Sequence, residues 1–251
     1  MLNQVDIQDI VAIAKEAGNA IMQIYKQDFE VEYKQDDSPL TLADKKANDI
    51  IEYGLNKLSV NFPILSEEGN ETPYEDRKYW EYFWLVDPLD GTKEFVKKND
   101  EFTVNIALIH KDTPVLGVVY APALDVCYWA KKNKGSFKDG KKLPLETVKK
   151  CNTYKIVASR SHMSNETQAF IDAIDTDKEK ELISVGSSLK ICLVAEGEAD
   201  IYPRLGPTME WDTGAAHAII NEAGKAAYQF KSESTLIYNK EDLLNPWFIV
   251  K

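Results

Sequence analysis

Basic residues are few in this chain relative to acidic ones. Its 251 residues include 30 lysines and arginines against 41 aspartates and glutamates, for a net charge of −11. Such a balance argues against general binding to nucleic acid polymers or to anionic membranes. It does not exclude a small anionic substrate, because bound divalent cations can reverse the sign of the local field.

Cysteines and long apolar runs are also scarce. Cys127, Cys151 and Cys192 are scattered and odd in number, which fits buried thiols in a reducing compartment better than a disulfide framework or a zinc site. The N-terminus lacks a basic stretch followed by an apolar one, so we expect no signal peptide. No apolar run is long enough to span a bilayer. We therefore expect a cytoplasmic location, with peripheral contact to the inner membrane left open.

The first half of the sequence predicts two helices followed by a series of strands. Apolar residues at helical spacing between Ile7 and Ile24 predict the first helix. Thr41 opens the second in a Thr-x-x-Asp pattern typical of a capping box. Turn signals between apolar runs predict an antiparallel meander, and the polar residues 70–79 predict a mobile loop. The predicted strands are 62–65, 82–86, 102–110, 115–121 and 126–130.

After about residue 150 strands and helices alternate, which indicates an α/β arrangement. The predicted strands are 154–158, 182–185 and 199–202, and the predicted helices begin at Ser164, Ser187 and Trp211. No low-complexity linker separates the two halves. We therefore predict an N-terminal α+β lobe over residues 1–150 and a C-terminal α/β lobe over residues 151–251. A tight interface and a ligand cleft are expected between them.

The segment from Trp84 to Thr92 carries the strongest chemical signal. A buried strand runs straight into Asp87, and Asp90 follows three residues later, so the two carboxylates can converge on one point. Gly91 permits a positive φ or a close backbone approach. Thr92 can cap the short segment after it and leave free N–H groups there. Carboxylates suit Mg²⁺ and amides suit an anion, so the turn predicts a metal-bound phosphate; solvated acids on a Pro-Gly turn are the alternative.

Four other acids could join this site. Glu67 and Glu68 end an earlier predicted strand, and Asp212 starts a helix whose next residues are small enough for close packing. Asp44 lies in the first turn of the second predicted helix. The structural alternative for Asp212 is an N-cap, and for Asp44 a role in the capping box.

Three of these motifs together resemble the inositol monophosphatase superfamily. They are Ser66-Glu67-Glu68, Asp87-Pro88-Leu89-Asp90-Gly91-Thr92 and Trp211-Asp212, in this order and spacing. The resemblance covers nearly the whole chain. It implies an α+β fold, a layered αβαβα sandwich of the sugar-phosphatase type, and a lithium-sensitive phosphatase that uses two or three Mg²⁺ ions. The bisphosphate nucleotidase branch is the closer match, through residues 159–162, 186–192 and 202–212.

The resemblance also implies roles for individual residues. Asp44 and Thr92 would orient and deprotonate the attacking water, and the attack would be in line without a covalent intermediate. The implied metal ligands are Glu67, Asp87, Asp90, Asp212 and the carbonyl of Leu89. The implied substrate-binding residues are Glu67, Leu89, Asp90, Gly91, Thr92, His162, Ser187, Lys190, Arg204 and Asp212.

Arg204 favours the nucleotidase branch. Inositol-type members of the superfamily tend to carry an acid at this position, whereas arginine suits a second phosphate, and Lys190 could serve the same anion. Solvated charges are the alternative for both, and His162 could merely follow a strand. The expected substrate is 3′-phosphoadenosine 5′-phosphate, with its sulfated analogue, cleaved to AMP or adenylyl sulfate by a monomer or homodimer. The alternatives are an inositol or sugar phosphate phosphatase and a non-catalytic metal or nucleotide sensor, which would need no water-activating pair.

Overall fold

The computed structural model describes residues 1–27, 39–70, 72–146, 152–158 and 164–251. A short 3-10 helix, Leu2–Gln4, precedes the first α-helix. The helices of the described residues are α1 Ile7–Tyr25, α2 Pro39–Asn56, α3 Tyr74–Arg77, α4 Thr92–Val96, α5 Asn165–Asp172, α6 Leu189–Glu196 and α7 Trp211–Glu222. The strands are β1 Ile64–Ser66, β2 Tyr82–Asp90, β3 Thr103–His110, β4 Thr113–Ala121, β5 Val126–Lys131, β6 Gly135–Lys138, β7 Lys141–Lys142, β8 Thr153–Ala158, β9 Glu179–Ser184, β10 Tyr202–Arg204, β11 Ala227–Gln229 and β12 Phe248–Val250.

A seven-stranded sheet forms the centre of the molecule. Its strands lie in chain order from β1 to β7, with β1 parallel to β2 and every later pair antiparallel. The predicted antiparallel meander is therefore confirmed. Short turns join these neighbours because antiparallel strands need no crossover. Only the β1–β2 connection requires one, and α3 lies within it.

Both faces of the central sheet are buried. Side chains alternate between faces along a strand, so Trp84 and Val86 of β2 pack against α1 and α2. Phe83 and Leu85 point the other way, into a core that includes residues of α6 and α7. A strand that is covered on both faces has apolar residues at successive positions. This explains the continuous run of apolar residues before Asp87.

The second half completes a five-layer sandwich. Helices α6 and α7 lie against each other, α7 on the central sheet and α6 on β8 and β10. Strands β8 and β9 pair in parallel, while β10, β12 and β11 form an antiparallel sheet. A parallel bridge between Ile156 and Ile201 joins the two. Helix α5 covers this second layer through Ile171. The predicted αβαβα order is thus confirmed.

One apolar core contains residues from both halves of the chain. It combines Leu65 and the inward residues of β2 to β5 with Val157, Cys192 and the apolar side of α7. The predicted division at residue 150 falls in the gap 147–151, outside the described residues, and it stays a prediction. Cys127 and Cys192 are buried free thiols, as expected; Cys151 lies outside the described residues. Among the described helices, none is both long and apolar enough to cross a membrane.

Two local predictions are wrong. The polar residues 70–79 were predicted as a mobile loop, but they contain α3, and Arg77 at its end is 2% exposed. Helix α2 begins at Pro39, two residues before Thr41, so Thr41 and Asp44 do not form a capping box. Proline is favoured in the first turn because its missing N–H would have no partner there. Asp44 is therefore the sixth residue of the described helix, beyond the first turn in which a capping residue would lie.

Helix α7 carries a buried histidine that should make the protein sensitive to acid. His217 is 2% exposed, its Nδ1 lies 2.9 Å from the Tyr238 hydroxyl, and burial lowers its pKa to about 4. The unfolded chain takes up this proton below an ordinary pKa of about 6.5, whereas the folded protein resists until about pH 4. Stability is therefore lost as the pH falls through this window, by up to about 3 kcal/mol.

The substitution His217→Asn tests this effect, because the amide can replace Nδ1 as partner of the Tyr238 hydroxyl. We expect the variant to be less stable than the wild type at pH 7 and to lose less stability on acidification to pH 4.5. Urea unfolding of both proteins at several pH values measures the difference, and the other titrating groups are common to both. Parallel pH profiles would contradict the assignment.

Candidate active site

Asp87 stands at the point where the central strand turns irregular. It follows Phe83 and Leu85 on the α7 side of β2 and is 1% exposed. Its Oδ1 accepts a hydrogen bond from the N–H of Leu89 at 3.1 Å. The pairing of β2 with β3 shifts register between Asp87 and Asp90, so the strand bulges instead of ending in the predicted turn. Bulges re-aim side chains near functional sites.

Acids from three elements meet at Asp87. Glu67 directly follows β1. Its backbone N–H donates to the Val86 carbonyl at 3.1 Å, which fixes its position beside β2. Asp212 is the second residue of α7. Carboxylate oxygens of Glu67, Asp87 and Asp212 all lie within 4.8 Å of one another. The sequence alone does not tell how close these three carboxylates lie. The parallel pairing of β1 with β2 and the packing of α7 on the sheet bring them together.

Glycine allows α7 to approach the sheet closely enough to deliver Asp212. A Cβ at Gly117 in β4 would lie 2.1 Å from the carbonyl oxygen of Ala215, and one at Gly214 would lie 2.8 Å from Leu85 Cδ2. A side chain at Gly117 would force the helix to move, because it would meet backbone, whereas one at Gly214 would force the Leu85 side chain to shift. The small residues after Asp212 thus have the packing role predicted for them.

The acids repel one another strongly in the metal-free protein. Burial raises the pKa of Asp87 well above its usual range, and the nearby charges of Asp90, Glu67, Asp212 and Asp44 raise it further. Burial and Asp90 raise the pKa of Asp212 to about 7. Burial, Glu68 and Glu67 raise that of Asp44 to about 8. The charges that act on Asp87 are all acidic, so this oxygen-rich cluster fits a hard divalent cation such as Mg²⁺.

Asp90 is tied to the second half of the chain by Ser188. The Ser188 hydroxyl lies 2.9 Å from Asp90 Oδ2 and 2.7 Å from the backbone oxygen of Asp212, and Asn105 Nδ2 donates to it at 2.9 Å. Asn105 Nδ2 is also 3.4 Å from Asp90 Oδ2. Sequence reasoning assigned no role to Ser188 or Asn105. The sequence offered one indication for each: Asn105 is a polar residue inside an otherwise apolar strand, and Ser188 is a polar residue at the start of a helix.

Gly91 and Thr92 start α4 beside these acids. Gly91 has φ +96°, a left-handed conformation and one of the two alternatives that the sequence left open. Thr92 is the first helical residue and Gly91 the N-cap, so the prediction of Thr92 as the cap is wrong. The Phe95 N–H donates to the Gly91 carbonyl and closes the first turn, so the amides of Gly91 and Thr92 lie at the start of the helix. Asp44 reaches the same region from α2, which packs on β2 and α4.

A cavity of about 200 Å³ opens beside the cluster, between the two halves of the chain. Its lining includes Asp90, Gly91, Thr92, Ser187, Lys190, Arg204 and Asp212, which are seven of the predicted site residues. The structure therefore brings these residues together, and it places Glu67 and Asp87 next to them. Leu89 is buried in the core under α1 and α2. His162 lies outside the described residues.

Several polar atoms in the cavity wall have no partner in the described part of the chain. They are Ser187 Oγ, Arg204 Nε and Thr208 Oγ1, all buried. Ser187 also has a positive φ of 48°, an unusual conformation that is often found at ligand sites. Arg204 Nη2 donates to the Pro207 carbonyl at 2.6 Å. Burial lowers the pKa of Lys190, and the charge of Arg204 lowers it further, whereas the nearby acids Asp90, Glu94 and Asp212 raise it.

Comparison with known proteins agrees with this geometry. The sequence profile of the Inositol monophosphatase family matches residues 2–247. A Salmonella typhimurium protein named 3′(2′),5′-bisphosphate nucleotidase CysQ is 45% identical over 97% of this chain and 98% of its own length. The Escherichia coli K12 protein of the same name is 43% identical over the same shares.

Solved structures show the same relationship. The crystal structure of CysQ from Bacteroides thetaiotaomicron matches with a TM-score of 0.92 and 45% identity, over 99% of this chain and 97% of that one. Inositol monophosphatase II from Staphylococcus aureus matches with a TM-score of 0.77 over 97% and 89% of the two chains, and at 22% identity it supports the fold alone. With a profile match over nearly its entire length, the chain belongs to the inositol monophosphatase family.

Proposed function

We propose that the chain is a Mg²⁺-dependent 3′(2′),5′-bisphosphate nucleotidase. It would remove the 3′-phosphate of 3′-phosphoadenosine 5′-phosphate to give AMP, and act likewise on the sulfated analogue. The observation that carries the proposal is one cavity lined both by the acids Asp90 and Asp212, here called the acidic wall, and by the cations Lys190 and Arg204, here called the cationic wall. A substrate with two phosphates can place one at each wall. Relatives at 43–45% identity that bear this enzyme name support the same substrate class.

The acidic wall would hold the metal ions through Glu67, Asp87, Asp90, Asp212 and the Leu89 carbonyl. Bound Mg²⁺ lowers the pKa of water and offsets the negative charge of the phosphoryl group. The chain's own residues would supply the rest. Asp44, which lies near Glu67 and Glu68, would accept the proton of the attacking water with the help of Thr92. The amides of Gly91 and Thr92 would hold the scissile phosphate at the open end of α4.

The cationic wall would bind the phosphate that is not cleaved. Arginine offers two parallel donors to a phosphate, and in the described structure Arg204 has an unpartnered Nε while its Nη2 donates to the neutral carbonyl of Pro207. Lys190 lies close enough for the charge of Arg204 to lower its pKa. An anion between them would relieve this repulsion and offset the burial of Lys190.

The substitution Arg204→Ala tests this wall. A charge-assisted pair contributes roughly 1.5–3 kcal/mol, so we expect kcat/KM for the bisphosphate nucleotide to fall by about 10–100-fold. Hydrolysis of a monophosphate should hardly change, because the metal ligands and the Gly91 and Thr92 amides remain. Arg204→Lys should recover part of the loss because it restores the charge without the fork. Equal losses on both substrates would show that Arg204 only supports the cavity.

A substrate panel separates the proposal from its alternatives. Phosphate release is measured with Mg²⁺ from the bisphosphate nucleotide, its sulfated analogue, inositol 1-phosphate and fructose 1,6-bisphosphate. Preference for a sugar or inositol phosphate would identify the other branch, and no release from any substrate would favour a sensor. Cytoplasmic location, inhibition by Li⁺ and a monomeric or homodimeric state belong to the same proposal.

A further inference from the structure

Arg77 is buried at the end of α3 and makes several hydrogen bonds with its guanidinium. Its guanidinium donates to Asn239 Oδ1 at 2.9 Å, to the Lys240 carbonyl at 2.7 Å and to the Glu241 carbonyl at 2.9 Å. Asn239 Nδ2 donates back to the Arg77 carbonyl at 2.8 Å. A planar guanidinium fixes the geometry of such acceptors. Arg77 therefore anchors the segment 239–241 to α3, shortly before β2 begins.

The anchored segment in turn holds a second buried charge. Glu210 is 0% exposed, and its carboxylate accepts the N–H of Asn239 at 2.6 Å and that of Lys240 at 3.1 Å, together with the Lys240 ammonium. Three donors compensate a carboxylate that would otherwise be expensive to bury. Glu210 directly precedes α7, and Asp212 follows two residues later.

The backbone on the other side of Glu210 is held by the continuation of the same segment. The Glu210 N–H donates to the Leu243 carbonyl at 2.9 Å, and Asn245 Nδ2 donates to the Met209 carbonyl at 2.8 Å. The Met209 N–H then donates to Asp212 Oδ2 at 2.9 Å. The Asp212 carboxylate is thus oriented by a peptide whose neighbours on both sides are fixed by residues 239–245.

We propose that Arg77 and Glu210 are positioning residues for Asp212. They hold the peptide that orients its carboxylate, and so keep that oxygen beside Glu67 and Asp87 where a cation can bind all three. Their effect on turnover rests on the proposed function, whereas their effect on metal binding can be measured without substrate. These contacts run from Arg77 in α3, the helix before β2, to Asp212 in α7, whose carboxylate lies beside Asp87 of β2.

Glu210→Gln is the sharpest test because it keeps the shape of the side chain. Glu210 Oε2 accepts the Asn239 N–H and Oε1 accepts both Lys240 groups. A glutamine must turn its NH₂ toward one of these donors, which disrupts the contact. Outer partners of metal ligands are typically worth about 10–100-fold in affinity. We expect the Kd for Mg²⁺, measured by calorimetry on metal-free protein, to rise by about tenfold. Arg77→Lys should shift the Kd in the same direction.

Glu196→Gln is a matched control. Glu196 is 2% exposed, and its carboxylate contacts Lys138 Nζ at 2.8 Å and the Tyr128 hydroxyl, at the end of α6 remote from the cavity. We expect this variant to melt at a lower temperature but to bind Mg²⁺ as the wild type does. Excess Mg²⁺ should restore much of the turnover that Glu210→Gln loses, and it should leave the turnover of Glu196→Gln unchanged.

Two results would overturn the proposal. Glu210→Gln with wild-type Mg²⁺ affinity would show that the network supports the fold alone, and so would an equal loss of affinity in Glu196→Gln. A wild-type protein that binds Mg²⁺ but hydrolyses no bisphosphate nucleotide would instead contradict the proposed function. The metal titrations would still decide the positioning role in that case.

Discussion

Replacing Asp90 with asparagine is expected to remove nearly all turnover while the fold stays intact. Asp90 lies close enough to Asp87 and Asp212 for its charge to raise the pKa of both. Asparagine can still accept a hydrogen bond from the Ser188 hydroxyl, which lies 2.9 Å from Asp90 Oδ2 in the structure. Its neutral amide, however, brings no charge to a divalent cation. Outer partners of a metal are worth about 10–100-fold, so loss of a direct ligand should lower kcat/KM at least about 100-fold.

Asp90→Asn should lose activity without losing stability. Without metal, the substitution removes one of several acids that repel one another, so the melting temperature should not fall below that of the wild type. Asp139→Asn is a suitable control, because its carboxylate accepts the Cys127 N–H at 2.9 Å in the same sheet but does not face the cluster. It should keep full activity. Turnover of Asp90→Asn like that of the wild type at saturating Mg²⁺ would rule out Asp90 as an essential ligand.

Asp44→Asn is expected to lower kcat by about 10²–10⁴-fold, the usual effect of losing general acid–base help. Asp44 is 8% exposed, and burial, together with the charges of Glu68 and Glu67, raises its pKa to about 8, close to working pH. An amide is a poor proton acceptor. Because α2 begins at Pro39, no cap is lost, so this large kinetic effect should come without a loss of stability.

The pH dependence of unfolding provides a second readout for Asp44. A carboxyl group with a raised pKa in the folded state makes the folded protein less stable as the pH rises from about 4 to about 8. Asparagine lacks this penalty. Metal-free Asp44→Asn should therefore gain stability over the wild type through that range. Asp49→Asn, on the exposed side of the same helix, should change neither property, and unchanged kcat in Asp44→Asn would contradict the base assignment.

Much of this site could be predicted because its acids lie at the ends of regular elements. The apolar run before Asp87 indicated a buried strand, and Gly91 indicated either a close backbone approach or the positive φ that is observed. The small residues after Asp212 indicated a closely packed helix, which Gly117 and Gly214 permit. In each case a local pattern has one dominant physical cause, so the sequence was sufficient.

Other features depended on contacts between distant parts of the chain. Asp44 looked like part of a capping box because Thr41 preceded it at the right spacing, but Pro39 starts the helix earlier. Arg77 lies in a polar stretch of the sequence, yet it is buried and its partners lie at residues 239–241. Ser188 and Asn105 showed no periodic pattern. No local rule could have paired these residues, since each partner is supplied by another layer.

The order of the elements along the chain has a consequence for synthesis. Strand β3 ends at His110, but α7, which covers Phe83 and Leu85 on the central sheet, does not begin until Trp211. At translation rates of about 5–20 residues per second, α7 is synthesised roughly 5–20 s after β3, and that face of the sheet stays uncovered in the meantime. Non-local cover of this kind leaves apolar surface open to aggregation while the chain leaves the ribosome. The arrangement that closes the active site last thus makes the nascent chain a natural client for chaperones.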